Sequence, residues 1–243
     1  MLNISLVLLS VFDGLSLQNR SAESCAYDTV NAQWIFVDQE SNQIDTLTGL
    51  YPATRTTLEP TDLMATDTSF DGLSLGTLFV AAADSPSEKN LLFIANAVPS
   101  EILVYDVDAD ALIASQTVDL SAFGPVGTNG LCYDPDNDVL YATNIGIDLT
   151  STSGPAYMDS LSSIVAIEGI SGENPQTVRI SVENPMDQDG RNVTGKTYRP
   201  NGCSFARGKA WFVESPIEGG GSLGIYDPET QQFSINTDIL DYD

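Results

Sequence analysis

The sequence predicts an all-β fold, a β-propeller built from four-stranded antiparallel blades. Two observations carry that expectation. Helical periodicity is nearly absent: short alternating or apolar runs are punctuated by Gly, Pro, Asn and Asp, and no stretch repeats apolar residues at i, i+3, i+4 and i+7. A strand–turn–strand unit also recurs. Residues 22–38, 128–144 and 198–214 share one layout, a strand closing on an aromatic, a tight turn and an aromatic-rich second strand. Aligned on Tyr27, Tyr133 and Phe205, they carry Glu23, Asn129 and Asn201 four positions earlier.

The remaining strands follow in order. Strand-like runs are read at 34–37, 91–95, 102–105, 139–142, 163–167, 177–182, 210–213 and 223–226. Third strands ending Tyr105-Asp106 and Tyr226-Asp227 are each followed by a turn and a fourth strand, at 114–120 and 232–235, and residues 42–49 are a weaker copy of the third strand. A further opening strand is expected over 78–84, leading into 91–96 and putting the polar register near Phe79, so that this blade contributes no ligand. Unit starts near residues 23, 79, 129 and 201 make about four blades visible in a single domain spanning 1–243. The longest interval is attributed to insertions around 150–159 or 184–196, with Asp187–Gly190 expected in a loop over the channel mouth.

Composition narrows the chemistry. With 34 acidic and 9 basic residues the formal net charge is −25, a surface that repels nucleic acid and anionic membrane and tolerates cations. There is no histidine, which removes Ser-His-Asp and Cys-His catalysis and His-ligated zinc. Cys25, Cys132 and Cys203 lack CxxC spacing and are read as small apolar residues buried in strands, with at least one thiol unpaired within the chain. The clusters at 106–110 and 134–138 lack the Gly and Glu of an EF-hand and are read as hairpin turns. The apolar run over 2–12 is too short to span a membrane. It reads either as a leader, which would make the chain secreted, or as a folded strand, because residues 12–17 recur word for word at 70–75; without a leader the chain would be cytoplasmic.

In a propeller the first strand of each blade lines the central channel, so Glu23, Asn129 and Asn201 would present one carboxylate and two amides to a common point. Hard oxygen donors suit Ca²⁺, and less selectively Mg²⁺ or Mn²⁺. The two Asn-Gly pairs have another reading as turn chemistry, and Glu23 as a solvated edge charge.

The layout resembles the SMP-30/gluconolactonase-like (LRE-like) family. Glu23-Ser24-Cys25-Ala26-Tyr27 matches its early Glu strand with Gly-Pro replaced, Asn129-Gly130 its middle Asn, and Pro200-Asn201-Gly202 its later P-N-G. The resemblance implies a six-bladed propeller and a divalent cation, Ca²⁺ first and Zn²⁺, Mn²⁺ or Mg²⁺ as alternatives, held by Glu23, Asn129 and Asn201. It implies hydrolysis of a sugar lactone or related ester, with the cation polarising the carbonyl and activating water. The family's fourth ligand, an Asp that also serves as general base, has no counterpart before Asp243, so either this is a partial copy or the complete site has been lost. The alternative is a non-catalytic propeller that binds a ligand or a protein through a degenerate site, or a fragment that another chain closes.

Overall fold

In a computed structural model, residues 22–38, 43–48, 63–69, 72–124, 127–149, 156–158, 161–187, 189–214 and 221–236 are described. They form four blades. Blade I contains β1 (Ala22–Asp28), β2 (Gln33–Asp38), β3 (Gln43–Thr48) and β4 (Leu63–Ser69). Blade II contains β5 (Leu73–Val80), β6 (Leu91–Val98) and β7 (Glu101–Asp106), with its fourth strand broken into β8 (Ala111–Leu112) and β9 (Val118–Asp119) around a 3₁₀ turn at Ala114–Gln116. Blade III holds β10 (Thr128–Asp134) and β11 (Val139–Asn144), then a small excursion of β12 (Ile147–Asp148) and β13 (Ala156–Tyr157), then β14 (Ser163–Glu168) and β15 (Gln176–Ser181). Blade IV holds β16 (Pro200–Ala206), β17 (Lys209–Glu214), β18 (Leu223–Asp227) and β19 (Gln232–Asn236).

All pairings within the blades are antiparallel, so short turns suffice to join the strands. The acidic clusters are turns, as expected. Asp134 Oδ1 accepts the Asp136 N–H (3.1 Å), and Asp28 Oδ1 accepts Val30 (2.8 Å) and Asn31 (3.0 Å) in the equivalent turn of blade I. Each turn ends on a left-handed residue, Asp138 or Ala32, which closes the hairpin.

The blades pack face to face. Alternate residues of a strand point to opposite faces, and the central strands are buried on both, which is why Leu91, Leu92, Phe93 and Ile94 form an unbroken apolar run with no exposure at all. Ala26, Ile35 and Ile44 meet Leu92 and Ile94 between blades I and II. Leu91, Phe93 and Val104 meet Leu131, Leu140 and Ile167 between II and III. Tyr141, Ile164 and Ile180 meet Phe212, Phe233 and Ile235 between III and IV. Burying each such side chain contributes about 1.5–3 kcal/mol. The close packing that joins β1 to β5, β5 to β10 and β10 to β16 is not repeated between β16 and β1 among the described residues.

Three expectations are corrected. The opening strand of blade II is β5, not 78–84; Val80 pairs with Leu91 as Asp134 pairs with Val139. Counting back from those pairs brings Leu75, not Phe79, to the register of Asn129, so the position remains apolar. The Asp187–Gly190 turn does not cover the channel mouth. Met186 bridges Ser234, and Ile235 N donates to Met186 O (2.7 Å), so this excursion hooks over the outer edge of β19.

The third correction concerns the cysteines. Cys132 and Cys203 form a disulfide with Cα atoms 5.5 Å apart, while Cys25 is free. The reason lies in an offset of one. Cys203 sits two residues past Asn201, but Cys132 sits three past Asn129, so the two side chains leave neighbouring strands from opposite faces and meet in the wedge between blades III and IV. Burial pushes the Cys25 thiol up to about 11, so it stays protonated at neutral pH.

Candidate functional site

The shared polar register corresponds to a shared irregularity of the backbone. In β1, β10 and β16 the ladder slips at one place: between Ala22 and Cys25, between Thr128 and Leu131, and between Pro200 and Cys203. In each, two residues of the inner strand oppose one of its partner. The bulged pairs are Glu23-Ser24, Asn129-Gly130 and Asn201-Gly202, facing Val37, Thr143 and Val213. A bulge turns a side chain out of the ladder and re-aims it. The Asn-Gly words are therefore bulges inside strands and not hairpin turns.

Gly130 is required by approach and not by φ. A Cβ there would lie 2.1 Å from Asn201 O, and one at Gly76 would lie 1.7 Å from Asn129 O. The inner strands thus touch backbone to backbone where the bulges occur. Thr143 completes the join: its Oγ1 accepts the Gly130 N–H (2.7 Å) and donates to Asn201 O. Close to the bulges, the Cys132–Cys203 bridge ties the same two strands covalently.

Asn129 and Asn201 consequently occupy one register on adjacent, cross-braced strands. Both side chains are half-buried, and neither amide is hydrogen-bonded among the described residues. Glu23 lies at the same register of β1, two blades from Asn129, with the apolar Leu75 register of β5 between them. Nothing is described of the Glu23 side chain, so the structure brings Asn129 and Asn201 together and leaves Glu23 placed by its backbone alone. Among the described residues no group of three or more His, Cys, Asp or Glu is arranged to hold a metal.

Sequence reasoning missed Thr143, because a single Thr in a strand carries no pattern and its partner lies 58 residues away. It also missed a second polar register at the ends of the second strands: Asp38, Asn96, Asn144 and Glu214, opposite Ala22, Ser74, Thr128 and Pro200. Where described, these groups serve the scaffold. Asn144 Nδ2 donates to Leu161 O (2.7 Å). Asn96 Nδ2 donates to Glu101 Oε1 (2.9 Å). Glu214 Oε2 accepts Ser222 N–H (3.1 Å) and pairs with Lys196 (3.1 Å). The recurrence of a polar residue just beyond each apolar second strand was the available signal.

No family model matches the chain, and no curated protein matches it in sequence. Solved structures do. The chain is similar to the hydrazine synthase of Kuenenia stuttgartiensis, with a TM-score of 0.55 at 10% identity over 91% of this chain and 51% of that one. It is similar to a protein from Lactobacillus plantarum, with a TM-score of 0.50 at 15% identity over 91% and 57%. A gluconolactonase of Xanthomonas campestris gives a TM-score of 0.43 at 12% identity over 91% and 78%. The chain spans about half the length of the first two. The likeness is one of fold: four antiparallel four-stranded blades arranged as part of a β-propeller.

Proposed function

We propose that the chain is a divalent-metal-dependent hydrolase of lactones or related esters, of the SMP-30/gluconolactonase-like kind, with Glu23, Asn129 and Asn201 holding the cation. The observation that carries this reading is the common bulge, which sets one oxygen-bearing residue at the same register in three inner strands. A carboxylate with two amides is a donor set suited to Ca²⁺, and unbonded amides need no protein partner displaced before they ligate. When bound, such a cation supplies Lewis-acid polarisation of a carbonyl and a lowered pKa for water. The chain's part is positional: Thr143, Gly130 and the Cys132–Cys203 bridge hold the two amides in a fixed relation, which lowers the ordering cost of binding.

The test is thermal unfolding of metal-stripped protein with and without millimolar Ca²⁺, repeated on Asn201→Ala and followed by gluconolactone hydrolysis with Ca²⁺, Zn²⁺, Mn²⁺ or Mg²⁺. A ligand at a hundred times its Kd stabilises the fold by about 2.7 kcal/mol. The reading requires that shift in the parent, its loss in the variant, and metal-dependent turnover. A parent indifferent to all four metals overturns it in favour of a non-catalytic binding propeller.

A further inference from the structure

A groove of about 710 Å³ opens between blades III and IV, at the end of β10 that carries Asp134, about 16 Å along the strand from Asn129. Its walls are Val139, Val178, Ala166 and Phe233, and Glu168 and Glu229 stand exposed among its lining. Tyr141 and Tyr226 also line it, their rings edge to face at 5.9 Å, and Phe205 stacks on Tyr141 at 6.0 Å.

The hydroxyls of these two tyrosines are the anomaly. Three other phenols are bonded: Tyr105 to Asp110 (2.7 Å), Tyr133 to Asp138 (2.9 Å), and Tyr198 to Phe212 O (2.7 Å) and Gly224 N–H (2.9 Å). Tyr141 is only 2% exposed, yet neither its hydroxyl nor that of Tyr226 has a hydrogen-bond partner among the described residues. Both residues nonetheless line the groove. Both phenols lie in a negative field. After burial, Asp134 and Glu168 raise the Tyr141 hydroxyl pKa, and Glu168 and Asp227 raise that of Tyr226. Among the described residues Arg179 is the one cation of the lining; it pairs across the ladder with Val165, which packs between blades II and III, and so leaves β15 on the face opposite Val178.

We propose that this groove binds an organic cation, a primary ammonium or guanidinium on an aliphatic stem. The head donates to the free Tyr141 and Tyr226 oxygens under the field of Glu168, against aromatic rings that favour a cation, and the stem lies on exposed Val178 and half-buried Val139. This site is independent of the bulge residues and of any metal.

The experiment titrates butylammonium and butylguanidinium chloride into the intact chain, with 1-butanol as the neutral control of equal stem. Binding is read by calorimetry and by ring chemical shifts of labelled tyrosine. The cations should bind and perturb Tyr141 and Tyr226, while butanol does not. Glu168→Gln should weaken binding about two- to five-fold, the size of a lost exposed charge pair. Tyr141→Phe, which removes no internal hydrogen bond and should keep the parent melting temperature, should weaken it several-fold. Absence of cation binding, equal binding of butanol, or unchanged affinity in Glu168→Gln would overturn the proposal.

Discussion

The wedge between blades II and III and the wedge between blades III and IV are built on the same repeat, yet one is filled and the other is split. In the first, Leu91, Phe93, Ile102, Val104, Leu140 and Ile167 have no exposure, and Tyr133 spends its hydroxyl on Asp138. The broken fourth strand of blade II closes its rim. The 3₁₀ turn at Ala114–Gln116 brings Gln116 Nε2 to Ser171 O at 2.8 Å, and Leu120 and Ile170 are sealed behind it. In the second wedge the disulfide ties the inner strands and Tyr198 N donates to Val182 O (3.1 Å) across the same seam, while an open groove with unbonded phenols remains. The difference teaches that the repeat specifies how blades stack, and the irregular segments between repeats specify which seams stay open.

Three predictions test that contrast. The largest effect belongs to the filled seam: Phe93→Ala should cost about 3–5 kcal/mol by urea denaturation. Phe233→Ala, at the groove wall and 8% exposed, should cost distinctly less, since water can enter the space left behind. Equal losses would erase the distinction between the seams.

Next comes the bridge. Converting Cys132 and Cys203 together to Ser should lower stability by about 2–4 kcal/mol, read as a drop in melting temperature that reductant reproduces in the parent and not in the variant. The bridge spans a sequence separation of 71 residues, so most of this arises from the unfolded chain.

The smallest effects rank the tyrosines. Tyr198→Phe strands the Gly224 N–H and should cost about 1–3 kcal/mol. Tyr133→Phe loses one bond and should cost about 1 kcal/mol. Tyr141→Phe should stay within about 0.5 kcal/mol, because no internal bond is lost. A Tyr141→Phe variant as damaged as Tyr198→Phe would mean the groove phenol is structural.

The strand runs at 91–95, 139–142 and 163–167, the hairpin turns and the three-fold polar register were legible because each is local. Alternation, turn chemistry and repetition at fixed offsets survive in one dimension. The blade II start was misplaced because β5 carries Leu75 where β10 carries Asn129, so that only Gly76 repeats the Asn129-Gly130 pair. The cysteine pair was overlooked because its one-residue offset becomes meaningful only once the two strands are known to be neighbours.

From its sequence alone this chain determined an all-β repeat, its turns, its acidity, and one oxygen-bearing residue per unit in three units, since these follow from side-chain period and composition. Tertiary structure decided the rest. The Thr143 clamp, the Cys132–Cys203 bridge and the unbonded Tyr141 hydroxyl all depend on which faces of distant strands meet. Packing between blades settles that, and no local pattern encodes it.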